Sequence, residues 1–105
     1  MVSEEEILGA FVSNKCGHCV QFKKDFAKEI KDGKIELLKV DDEKGNPTEW
    51  MDVAAKHGVR GVPHLAKLKK NGNGKTKPDN IEISGACDIE EYRKTGSCKG
   101  KYPFV

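Results

Sequence analysis

The sequence predicts an α/β fold, one mixed four-stranded sheet covered by about three helices. Short apolar runs bounded by turn signals alternate with stretches of helical periodicity. Their order is strand, helix, strand, helix, strand, strand, helix. A βαβ unit followed by a helix and a β-hairpin requires both parallel and antiparallel neighbours in one sheet. Ile7 to Ser13, with Gly9 inside it, reads as a buried strand that Ser13-Asn14-Lys15 breaks. Cys19, Phe22, Phe26 and Ile30 then recur at spacings of three and four, lining one helix face. Lys23, Lys24, Lys28 and Glu29 take the other faces, and Asp32-Gly33 ends the helix. Ile35 to Val40 is the second strand, closed by Asp41-Asp42.

Asn46-Pro47-Thr48-Glu49 reads as a helix start, with a cap, Pro at the first position and Glu three after the cap. Trp50, Val53 and Ala54 supply its apolar stripe, and Gly58 stands where a C-terminal glycine belongs. His64 to Lys70 is the third strand, and Asn71-Gly72-Asn73-Gly74 is a turn that Lys75 to Asp79 lengthens as a loop. Ile81 and Ile83 alternate in a fourth strand, which Gly85 ends. Asp88 begins the last helix, with Glu91 completing a second capping box, and Gly96 stops it. From Lys99 onwards no pattern is evident.

A chain of 105 residues suits one domain, 1–105, with one core. With 36% apolar and 34% charged residues the composition is lean but ordinary. The net charge of +2 and the scattered lysines give no field to attract nucleic acid or an anionic membrane. Met-Val-Ser-Glu-Glu-Glu lacks the basic start and apolar run of a secretory signal, and no apolar stretch approaches a membrane span. The expectation is a cytoplasmic protein, and nothing demands more than a monomer. Four cysteines in a reducing compartment suggest catalysis or metal before structural disulfides.

Cys16-Gly17-His18-Cys19 follows a strand and opens a helix. A helix N-terminus carries unpaired N–H groups and about half a positive charge, which stabilise an anion. The thiolate is the nucleophile, and such surroundings lower a cysteine pKa from about 8.5 to roughly 3.5–7.5. Cys16 is the expected attacking thiolate. Cys19, one turn further on the same side and more buried, is placed to resolve a mixed disulfide. Lys15 and a protonated His18 would add to the stabilisation of Cys16. A stabilised thiolate makes the disulfide a better oxidant. The alternative use of CxxC is half of a zinc site, but zinc asks for a second close pair. Cys87 and Cys98 have ten residues between them and do not form one. His57, at a helix end, reads as a helix-terminus residue.

The chain resembles the thioredoxin superfamily at these residues and beyond them. Cys16-Gly17-His18-Cys19 is identical to the motif typical of protein disulfide isomerase domains. Ala55-Lys56-His57-Gly58-Val59-Arg60-Gly61-Val62-Pro63 is similar to the thioredoxin segment that leads to a cis-proline. The resemblance implies a thioredoxin fold in which cis-Pro63 faces the CxxC, Val62 offers backbone hydrogen bonds to substrate, and His64 lies nearby. Ile83-Ser84-Gly85-Ala86-Cys87-Asp88 is similar to the glycine-rich turn with which glutaredoxins bind glutathione, implying roles for Gly85, Ala86 and Asp88. Only about fifteen residues precede Cys16, as in the short, glutaredoxin-like version of the fold. The resemblance runs to about Tyr92.

Some positions depart from the family pattern. Ala10 stands where thioredoxin and disulfide isomerase domains have a buried acid, and Lys15 where they have Trp. Val62 replaces the glutaredoxin Thr, and Ala86 the second Gly of their turn. With Ala10 in place, the helper for proton transfer at Cys19 is left to water, His18 or His64. Cys87 and Cys98 bracket the last helix. They are too far apart to bond if it spans the interval, and can meet if it stops near Lys94; free cysteines are the expectation.

The expected function is dithiol–disulfide exchange with protein disulfides or glutathione mixed disulfides. Catalysis would rest on Cys16, Cys19 and His18, and substrate binding on Lys15, Gly17, Val62, Pro63, His64, Gly85, Ala86 and Asp88. No cofactor is expected to bind tightly. With no nucleotide fingerprint to take NADPH, electrons must come from outside, from glutathione or a thioredoxin-reductase-like donor. Two other readings stay open. One is a metal-binding or redox-sensing module using the CxxC and nearby histidines; the other is a redox-inert binding domain on the same fold.

Overall fold

A computed structural model describes residues 5–59, 61–70 and 76–96. The expected turn at Asn71-Gly72-Asn73-Gly74, Cys98 and the tail from Lys99 lie outside the described residues. The elements are β1 (Glu5–Val12), α1 (Gly17–Asp25), α2 (Ala27–Lys31), β2 (Ile35–Lys39), α3 (Glu49–Lys56), β3 (His64–Lys70), β4 (Ile81–Cys87) and α4 (Ile89–Thr95). A single 3-10 turn, Pro78–Asn80, precedes β4. The strands form one sheet in the order β2-β1-β3-β4. β1 pairs with β2 in parallel and with β3 antiparallel, and β3 pairs with β4 antiparallel. The mixed four-stranded sheet expected from the element order is therefore present.

Side chains alternate across the pleat, so a central strand buries both of its faces. Even positions of β1, Leu8, Ala10 and Val12, join Ile35, Leu37 and Leu65 on one face. There Phe22 and Phe26 from the helices after Cys16, and Tyr92 from α4, complete the packing. Ile7 and Phe11 point the other way, to Leu38, Val40, Ala66 and Leu68, where α3 adds Ala54, Trp50 and Val53. Gly9 also belongs to this second face. A Cβ there would sit 2.6 Å from Leu68 Cδ1 and 2.8 Å from Leu38 Cδ1, so only glycine lets the two leucines close over β1.

The stops fall where the glycines are. Gly33 and Gly58 take φ of +80° and +73°. After α2, Gly33 N–H reaches Ile30 O and Lys34 N–H reaches Glu29 O; after α3, Gly58 N–H and Val59 N–H bond Ala55 O and Ala54 O in the same pattern. Both are Schellman closures, which need the left-handed residue that glycine supplies without strain. Gly96, φ +73°, closes α4. At the start of α4, Asp88 accepts from Glu90 N–H at 2.9 Å and Glu91 N–H at 3.2 Å, as a cap should.

Three expectations are corrected. The first helix is broken at Phe26, so four helices cover the sheet. The hydrogen bonds Phe26 N–H to Phe22 O and Ile30 N–H to Phe26 O continue on either side, so this is a kink. It seats the buried Phe26 ring against both Phe22 and Tyr92, at 4.8 and 5.5 Å. Next, α3 starts at Thr48, whose hydroxyl accepts from Trp50 N–H, and not at Asn46. Asp42 captures the N–H groups of Lys44 and Asn46, and Asp41 bridges to Pro47, which holds 41–47 in a turn. Last, Gly85 does not end β4. A bulge opposite Lys67 and Leu68 absorbs one residue, and pairing resumes at Gly85, Ala86 and Cys87.

Topology alone brings the interesting residues to one edge of the sheet. The C-terminal end of β1 meets the start of β3, with Phe11 opposite His64. Since β2 runs parallel to β1, its C-terminal end arrives there too, with Val40 N–H bonded to Val12 O. The turn holding Cys16, the Val62-Pro63 segment and Asp41 therefore converge.

Candidate active site

Cys16 is the N-cap of α1, in extended backbone conformation, and makes no side-chain capping bond. Its half-buried sulfur lies at the positive end of the helix. The Val62-Pro63 peptide is cis, and the Cys16 thiol donates to Val62 O at 3.4 Å. Cys19, one turn on, is fully buried in the face packed by Phe22 and Leu65. Its sulfur accepts from Ser13 N–H at 3.4 Å. Both cysteines are free thiols.

Their environments push the two pKa values apart. Hydrogen bonding from the Cys19 thiol, then from the backbone N–H groups of Cys19 and His18, holds Cys16 below the ordinary cysteine value despite some desolvation. Burial pushes Cys19 up to about 11, against the opposing effect of the Ser13 N–H. One sulfur is thus prepared to be a thiolate and the other to stay a thiol.

A scan against protein-family models matches the thioredoxin family over residues 1–94. The chain belongs to the thioredoxin family. No curated protein matches it. Membership in the thioredoxin family, with both cysteines of the CxxC present and adjacent, supports thiol–disulfide oxidoreductase chemistry in general.

Within this thioredoxin-family site the other expected residues are distributed unevenly. Gly17 and His18 are exposed on the first turn of α1, and space around Gly17 is open. His18 lines a cavity of about 310 Å³ with Gln21, Asp25, Pro63 and Arg93. Lys15 does not turn to Cys16. Its ammonium lies over Gly45, 2.8 Å from where a Cβ would stand, and its charge acts on Asp41. His64 sits by Phe11, ring centroids 6.3 Å apart, on the α3 face of the sheet and not the Cys19 face. Burial lowers its pKa. It is therefore not placed to help Cys19. Gly85 and Ala86 lie in the paired strand β4 opposite Lys67 and Ala66, and Asp88 spends one carboxylate oxygen on the cap of α4. Cys87 is disulfide-bonded, which corrects the expectation of a free thiol there. α4 does end early, at Thr95, the condition under which the sequence allowed a bridge.

Sequence reasoning missed Ser13, Asn14 and Asp41. Asp41 is only 7% exposed. It accepts from Asn14 N–H at 2.8 Å and from the Ser13 hydroxyl, and its backbone O accepts from Asn14 Nδ2 at 3.3 Å. The Asn14 N–H first, then the Ser13 hydroxyl and the charge of Lys15, hold its carboxyl below the ordinary range. A signal existed. Two acids directly after a strand parallel to the one that carries the CxxC must land beside it.

Among the described residues, no three His, Cys, Asp or Glu side chains gather as a metal would require, and no helix is long and apolar enough to cross a membrane.

The split between the thiols has a direct readout. Thiolate, and so alkylation, falls as pH drops through each pKa. Iodoacetamide at mild alkaline pH is expected to label Cys16 and to spare Cys19 until the pH nears 11, as read by peptide mapping. Equal labelling of the two would contradict the assignment.

Proposed function

We propose that the chain reduces disulfides in extended protein segments through a Cys16–Cys19 dithiol. The observation that carries this is the Cys16 sulfur at a helix N-terminus, facing the carbonyl that precedes cis-Pro63, with Cys19 buried behind it. Two cavities flank that contact, one lined by His18 and Pro63 and a second, of about 260 Å³, lined by Val62, Met51 and Asp41. They leave room for chain on both sides of a scissile disulfide. Cys16 thiolate attacks one substrate sulfur, and the other leaves as a thiolate that takes up a proton. Cys19 then attacks Cys16, releases the second substrate sulfur and leaves the pair oxidised. Gly17 keeps the approach to Cys16 clear, and His18, in the cavity wall with Pro63, is the side chain we assign to the leaving sulfur. Two electrons must return from a dithiol donor or from glutathione. Protein disulfides are favoured over glutathione mixed disulfides because the cavities on both sides of the Cys16–Val62 contact suit an extended chain.

The deciding measurement is the reduction potential of the pair in glutathione redox buffers, with Cys16→Ser as control. A reversible two-electron transition that vanishes in the variant is expected. A value near about −270 mV marks a thioredoxin-like reductant, and one near about −180 mV a disulfide-isomerase-like oxidant. No transition in any buffer overturns the reading.

A further inference from the structure

The resolving thiol carries a requirement that the dithiol reading does not meet. Cys19 must ionise to attack the mixed disulfide, yet it is fully buried among Ala10, Phe22 and Leu65. Among the described residues one charged side chain is buried, and it is Asp41. The hydrogen bonds of Asp41 go not to Cys19 itself but to the turn between β1 and α1, where Ser13 is the hub. The Ser13 hydroxyl donates to Asp41 Oδ2 and accepts from Lys15 N–H at 3.2 Å. Ser13 O accepts from Cys16 N–H at 3.4 Å. The remaining group, Ser13 N–H, points at the Cys19 sulfur. Asn14 N–H on the other carboxylate oxygen completes a two-point grip.

We infer that Asp41 and Ser13 are positioning residues for the resolving step: the buried carboxylate grips the Ser13 turn so that its amide N–H stays aimed at Cys19 and stabilises the thiolate as it forms. The inference rests on the dithiol reading above. Hydrogen bonds to a charged acceptor are stronger than those to a neutral one, so this contact gains as the sulfur loses its proton. The Ser13 N–H itself neither gives nor takes a proton. The Cys19 proton goes to solvent, the Cys19–Cys16 bond forms, and the bond from Cys16 to the substrate sulfur breaks. That sulfur departs as a thiolate. A fixed amide is worth most in a buried site, where the low local dielectric strengthens its bond to the forming thiolate.

The test separates attack from resolution. The probe is the aryl disulfide dithiobis(nitrobenzoate), mixed rapidly with the reduced chain. Cys16 releases one coloured thiolate, and Cys19 releases the second. A Cys19→Ser chain that loses the second phase alone assigns it. Ser13→Ala cuts the grip but keeps both the backbone N–H and the Asp41 charge. Its second phase is expected to slow about three- to tenfold near neutral pH, the weight of one hydrogen bond, with its pH profile displaced upwards. The first phase should be unchanged, which also shows that α1 is folded, and Ser13→Thr should restore the second. An unchanged second phase in Ser13→Ala, or equal slowing of both phases, overturns the inference. A wild-type chain with no first phase sinks the dithiol reading itself, a different result.

Discussion

Cys16→Ser is expected to reduce protein-disulfide reduction to background, a loss of about a thousandfold or more. The hydroxyl cannot ionise at any working pH, so the helix terminus and the hydrogen bonds that hold Cys16 low have no anion to stabilise. Cys19 cannot substitute for it. It is fully buried, and its thiol stays protonated to about 11. Cys19→Ser should behave differently, forming a mixed disulfide at the normal rate and stalling there. The measurement is turnover of a protein disulfide with dithiothreitol as donor, alongside mass spectrometry of the trapped adduct. Retention of more than about a tenth of the wild-type rate in Cys16→Ser would show that another group is the nucleophile.

The second large effect is on stability. Phe22 lies three residues after Cys19 on the same face of α1, and it is 2% exposed. Its ring meets Phe26 at 4.8 Å, within the cluster that joins α1 to β1, β3 and α4. Phe22→Ala removes that ring and leaves a cavity that the sheet cannot collapse to fill. The expected cost is about 3–5 kcal/mol, a large part of the roughly 5–15 kcal/mol that holds a domain folded. A thermal midpoint lower by more than about 10 °C should follow. Val20→Ala, at an exposed position of the same helix, should stay within about 0.5 kcal/mol. If Phe22→Ala cost less than about 1 kcal/mol, the packing that seats α1 on the sheet would be misassigned.

Much of the fold was legible because its signals are local. Two helix stops at Gly33 and Gly58, the Asp88 cap and strand β3 fall where periodicity and capping chemistry put them. The errors came where a distant contact overruled a local signal. Asn46-Pro47 has the form of a helix start, but the Asp41 and Asp42 turn claims those residues. Gly85 has the form of a stop, but a bulge lets β4 carry on against β3. Nothing in the spacing of Phe22, Phe26 and Ile30 announces a kink, because it answers to Tyr92 from the far end of the chain.

The same division runs through the site. By itself the sequence determined where the two cysteines sit, since order along a strand-to-helix junction sets which sulfur meets the helix terminus and which lies a turn inside. Only the tertiary structure decided their surroundings. It sent Lys15 to Asp41 and Gly45, set His64 on the opposite face, and placed Ser13 between Asp41 and Cys19. The physical reason is the range of the forces. Helix polarity and pleat alternation are written within a few residues, whereas the partner of a buried carboxylate or amide depends on which strand ends the sheet brings together.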